Sequence, residues 1–124
     1  MKTGYARRVG SFTDPQHELQ PEEVQELLQR GEIELIDVRE PYEWEAGRIA
    51  GARHIELERL AGRSDEIPRE RRVVFQCRLG ARSAMATQAF RAAGWDAYNL
   101  DGGILKWVRQ GLPLEPDGGH VADH

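Results

Sequence analysis

Only one cysteine, Cys77, occurs in the 124 residues, so neither an internal disulfide nor a multi-cysteine metal site can form, and an unpaired thiol suits a reducing compartment. Missing too is any apolar run long enough to span a bilayer, and residues 1–20 hold no signal-peptide core. A soluble, cytoplasmic protein is expected. Histidine is scarce and scattered: His17, His54, His120 and His124 fall at no metal-ligand spacing, so no metal and no cofactor are expected and none of the four is given a role. Nor is there an excess of positive charge. The formal net charge of −4 argues against a general nucleic-acid binder, which needs a basic footprint to neutralise phosphates.

The charge that is present is unevenly placed. From Arg69 to Arg91, six arginines (69, 71, 72, 78, 82 and 91) face Glu70 alone, a local +5 that leaves −9 for the rest of the chain. Such a segment suits the capture of a small anion at one place, with Arg69, Arg71 and Arg72 read as solvating a strand entry. The chain length and a hydrophobic content of 40% fit one domain with one modest core.

Residues 1–18 show no periodicity and are expected to form a flexible arm. Pro21, Glu22 and Glu23, then apolar Val24, Leu27 and Leu28, then Gly31, mark the start, face and stop of a helix. Ile33 to Val38 reads as a buried strand ending in Arg39, Glu40 and Pro41. A helical turn over 41–46, a short strand over 52–55, another turn over 57–60 and a polar linker over 61–70 follow. Val73, Val74 and Phe75 are the strongest strand core and run directly into Cys77. The next helix is expected to line one face with Met85, Ala86, Ala89, Phe90 and Ala93 and to stop at Gly94. A strand over 96–100, a tight turn at Gly102 and Gly103 and a helix over 104–110 complete a domain expected over 19–114, with a flexible, frayed tail over 115–124. Trp44, Phe90 and Trp107 read as core or rim aromatics. The short alternation predicts a single α/β domain, with a mainly parallel sheet of about five strands, helices on both faces, and its ligand beyond the C-terminal strand ends.

Cys77 falls at one of those ends, between a strand and a helix start. There, unpaired N–H groups and the positive end of the helix dipole favour thiolate over thiol. An ordinary cysteine, with a pKa of about 8.5, is only about 3% ionised at pH 7. Helix-terminus interactions of about 0.3 to 2 kcal/mol, with hydrogen bonds to the sulfur, supply enough bias to ionise it without a general base. Gly80 lets the backbone curl inward, Leu79 and Ala81 are expected to contribute backbone donors, and Arg78 and Arg82 to place guanidinium groups on the oxygens of a bound anion. Ser83 reads equally as a helix cap or a ligand donor. Asp37 and Arg39 read as support for the loop, paired with each other, with loop N–H groups or with Glu43.

The run Cys77-Arg78-Leu79-Gly80-Ala81-Arg82-Ser83 resembles the active-site loop of rhodanese-type sulfurtransferases. Asp37-Val38-Arg39-Glu40, with Glu43, Trp44, Gly47, Ile49 and Gly51-Ala52, is similar to that family's early signature. Leu100-Asp101-Gly102-Gly103-Ile104, with Trp107, is similar to its late one, so the resemblance covers roughly residues 19–114. Arg48 stands where many members have histidine, and Glu56 where proline is common. The resemblance implies a rhodanese-like fold and a Cys77 persulfide. On this reading a small anionic donor such as thiosulfate supplies a sulfane sulfur, and cyanide, a thiol or a sulfur-accepting protein receives it, with neither nucleic acid nor membrane as partner.

Two rivals follow from the same resemblance. A phosphatase or arsenate reductase built on such a loop resembles it but needs one more residue between cysteine and arginine. A non-catalytic or regulatory module of the same family usually loses the cysteine or the loop arginines, which this chain keeps.

Overall fold

The computed structural model describes residues 14–124, so the expected arm lies, for residues 1–13, outside the described residues. Five parallel strands form one sheet in the order β1-β5-β4-β2-β3: β1 Glu18–Leu19, β2 Ile33–Asp37, β3 Arg53–His54, β4 Arg72–Gln76 and β5 Ala97–Leu100. Helices α1 Pro21–Gln29, α2 Pro41–Ala46, α3 Leu57–Leu60, α4 Ala81–Ala92 and α5 Gly103–Arg109 connect them. The segment 61–70, read as a polar linker, begins with a 3-10 helix, Ala61–Glu66.

The two-residue period of the strands splits the core into two layers. Ile36, Val73, Phe75 and Ala97 point to one face, where Ala86 and Phe90 of α4 and Leu60 of α3 cover them. Ile33, Leu35, Val74 and Leu100 point to the other, against Val24 of α1 and Ile104 and Trp107 of α5. With helices on both faces the central strands have no solvent side, which is why β4 reads as an unbroken apolar run. Its Val73, Val74 and Phe75 are wholly buried.

Three boundaries differ from the expectations. Glu18, placed in the arm, opens strand β1 and pairs with Asn99 of β5, because the edge of β5 would otherwise hold unpaired backbone groups. Helix α4 buries Ser83, Ala84, Ala86, Thr87 and Phe90, whereas Met85, Ala89 and Ala93 face solvent. Alanines surround this helix and blur its periodicity. Polar contacts add to the packing of Ala86 and Phe90, with the Thr87 hydroxyl donating to the carbonyls of Ser83 and Tyr98. Finally, the tail makes backbone contacts with the rest of the domain. Arg48 and Glu115 exchange two antiparallel backbone hydrogen bonds, and the His120 N–H donates to Ala46. Gly47 makes that approach feasible, since a side chain there would meet the His120 backbone at 2.5 Å.

Candidate active site

The C-terminal ends of β4, β2 and β5 lie side by side and deliver Cys77, the Asp37–Arg39 segment and the Asp101–Gly103 turn to one edge of the sheet. After β4 the chain turns through Gly80, whose φ of +106° lies in the left-handed region that only glycine adopts readily, and then enters α4 at Ala81. The turn folds the start of α4 back over the cysteine. Its Sγ accepts hydrogen bonds from the Gly80 N–H at 3.1 Å, the Ser83 N–H at 3.4 Å and the Ser83 hydroxyl at 3.3 Å. Three donors converging on one sulfur leave it few orientations.

Cys77 is only 1% exposed, yet it floors a cavity of about 290 Å³ lined by Cys77, Arg78, Leu79, Ala81, Arg82 and His124. Two larger cavities lie elsewhere, one beside Pro68 and Trp95 and one beside Ile49 and Trp107; neither includes the cysteine. Chemistry, not size, identifies the site.

The loop arginines border this cavity, and both are engaged by other groups of the protein. Arg82 makes a bidentate contact with Glu43 at 2.9 and 3.1 Å, and Arg78 donates to the Ala122 carbonyl at 3.2 Å and lies 3.7 Å from Asp123. The reason is Glu43: its side chain is fully buried, and a buried carboxylate without a cation would cost several kcal/mol. Burial alone would push the Glu43 carboxyl up, but the Arg82 hydrogen bond and the Glu40 N–H outweigh it and hold the group below the ordinary carboxylate range. Burial likewise works against charge on Arg82, and the bond to Glu43 more than restores it. Glu43 and Glu40 also form the capping box that starts α2. The backbone donors on Sγ come from Gly80 and Ser83. Leu79 is 59% exposed, and both Leu79 and Ala81 line the cavity mouth. Ser83 serves the sulfur, and no side chain caps α4.

Asp37 and Arg39 form a wholly buried pair, with Arg39 Nε and Nη2 both on the Asp37 carboxylate and Nη2 also on the Gly47 carbonyl at 2.8 Å. They brace the sheet edge and make no hydrogen bond with Cys77. Sequence reading missed the loop's other braces. The Ile104 and Leu105 N–H groups, at the start of α5, donate to the Cys77 and Arg78 carbonyls at 2.8 and 3.1 Å. Gly103 is the reason they fit, because a side chain there would lie 2.5 Å from both carbonyl oxygens. Asn99 donates to the Gly80 carbonyl at 3.1 Å and to the Glu18 carboxyl. Burial pushes that carboxyl up to about 7, with the Asn99 bond pulling it down and the Asp101 charge adding to the rise. A polar residue inside an otherwise apolar strand was the available signal for Asn99; nothing local marked Glu18.

Among the described residues, Glu40, Glu56 and Glu58 are the group of side chains close enough to share an ion; Glu56 is already held by Arg59, and Cys77 is not among them. No helix among them is long and apolar enough to cross a membrane.

Comparison with known proteins agrees with this geometry. The chain is 47% identical over 75 residues to the uncharacterized protein YqhL of Bacillus subtilis, a match covering 60% of each. It is 38% identical over 96 residues to a sulfurtransferase of Allochromatium vinosum, covering 76% of this chain and 90% of that protein. A rhodanese-related protein from Thermoplasma volcanium superposes with a TM-score of 0.75 at 26% identity, covering 80% of this chain and 97% of the other. Residues 20–110 match the Rhodanese-like domain as a family, and with the cysteine loop at the C-terminal edge of its parallel sheet this chain belongs to that family.

Proposed function

We propose that the chain is a sulfurtransferase that takes a sulfane sulfur from thiosulfate or a related anionic donor onto Cys77 and passes it, as a persulfide, to a thiol or to cyanide. The observation that carries this reading is the set of three donors on Sγ at the floor of an open cavity. The Cys77 thiolate attacks the outer sulfur of thiosulfate, the sulfur–sulfur bond breaks, and sulfite leaves with the bonding electron pair. The new outer sulfur projects into the cavity, where the cationic rim offsets the donor's charge. Arg78 is the guanidinium more easily turned to an anion, since Asp123 is fully exposed and such a pair is weak, whereas Arg82 is committed to buried Glu43. A sulfur-accepting protein is a natural acceptor alongside small thiols, and the reducing cytoplasm suits a free nucleophilic cysteine.

Intact-mass measurement after thiosulfate treatment tests the reading. One added sulfur atom per chain, absent from Cys77→Ser, with repeated turnover and ping-pong kinetics when cyanide or a thiol is supplied, is the expected result. An unmodified chain that hydrolyses an aryl phosphate through Cys77 would replace the reading with phosphate chemistry. A single uptake without turnover would replace it with a sulfur-storing module.

A further inference from the structure

The tail, anchored by Arg48–Glu115 and His120–Ala46, ends in a ring that the thiosulfate half of the cycle does not use. His124 lines the same cavity as Cys77. Its Nδ1 lies 3.5 Å from Glu43 Oε1 and 3.4 Å from the Tyr42 hydroxyl, both on α2. Among the described residues no group engages Nε2. A ring whose Nδ1 lies against a buried carboxylate, in a residue that lines the cavity of the cysteine, is placed to take part in proton transfer there. Glu43 is itself shared with Arg82 of α4, and Arg78, which lines the same cavity, donates to Ala122 and lies 3.7 Å from Asp123.

We propose that His124 is the general base of the second half-reaction, the residue that deprotonates a thiol acceptor; the assignment rests on the sulfurtransferase reading above. Thiosulfate arrives as an anion and needs no base, whereas most cellular thiols arrive protonated. The acceptor S–H proton moves to His124 Nε2, and the acceptor sulfur attacks the outer sulfur of the Cys77 persulfide. The sulfur–sulfur bond to Cys77 then breaks, and its electron pair returns to Cys77 as a thiolate under the three donors of the loop. The proton on Nε2 leaves to the product persulfide or to water, which resets the ring. Glu43 is then a positioning residue, holding Arg82 with one set of contacts and steadying His124 with the other.

The test loads Cys77 from thiosulfate, confirms loading by mass, and follows discharge to two acceptors in the full-length chain. Glutathione carries a proton that must be removed; thionitrobenzoate is already ionised at neutral pH. In His124→Gln, discharge to glutathione is expected to fall at least about tenfold, while loading and discharge to thionitrobenzoate stay within about twofold of the parent. Added imidazole is expected to restore glutathione discharge in His124→Ala. Equal loss with both acceptors, or no loss with glutathione, overturns the base assignment and leaves sulfur transfer standing. A chain that takes up no sulfur overturns both.

Discussion

The floor and the rim of the cavity are built on different principles. At the floor, Sγ is held by backbone and by Ser83, and the backbone is itself held by the start of α5 and by Asn99. At the rim, charged side chains are held by other charged side chains from α2 and from the tail. A floor of amides cannot move without unfolding local structure, whereas the exposed Arg78–Asp123 contact of the rim can be exchanged for one with a ligand. On the proposed sulfurtransferase reading, reactivity would sit on rigid elements and ligand capture on adaptable ones.

Changes at the two places are expected to separate accordingly. Cys77→Ser removes the nucleophile and is expected to abolish sulfur uptake altogether, read by intact mass. Gly103→Ala attacks the floor from beneath, forcing a side chain onto the Cys77 and Arg78 carbonyls at a φ of +64°. A loss of at least about 2 kcal/mol in denaturant unfolding, together with slowed loading, is expected. Glu43→Gln strips Arg82 of its countercharge at the rim. Because Arg82 keeps access to water in the cavity, a loss of about 2 kcal/mol is expected, less than for a sealed pair. Glu18 links pH to the floor through Asn99. Its carboxyl titrates near 7 in the folded chain against 4.5 when unperturbed. Its contribution to stability is therefore fully present below about pH 4.5 and is lost as pH rises through about 7, and Glu18→Gln is expected to flatten unfolding midpoints across that window. Asp123→Asn is the mildest change, expected to leave loading at saturation intact and to lower the KM for thiosulfate by no more than about twofold, by freeing Arg78.

The same contrast explains what could be read in the sequence. The loop of the floor lies within seven consecutive residues, 77–83, where a strand end, a glycine and a helix start shape it locally, while its braces at Asn99 and the start of α5 come from later in the chain. The Asp37–Arg39 pair, two residues apart, was readable for the same reason. The rim depends on contacts across the chain: Arg82 meets Glu43 across 39 positions and Arg78 meets Ala122 across 44. Both arginines looked free because their partners were remote. His124, too, gained a partner only when the tail, polar and without periodicity, was drawn to α2 by backbone hydrogen bonds that no side-chain pattern announces. Glu18 and Asn99 were missed because the strand that joins them is two residues long.

The most direct trial of the floor is Ser83→Ala, followed by sulfite release in a single turnover with thiosulfate. On the thiolate mechanism proposed above, removing one of three donors from the sulfur is worth at least about 1.5 kcal/mol, so release is expected to slow about tenfold or more while still reaching one sulfite per chain. Unchanged release in this variant, or sulfite produced by Cys77→Ser, would contradict the account.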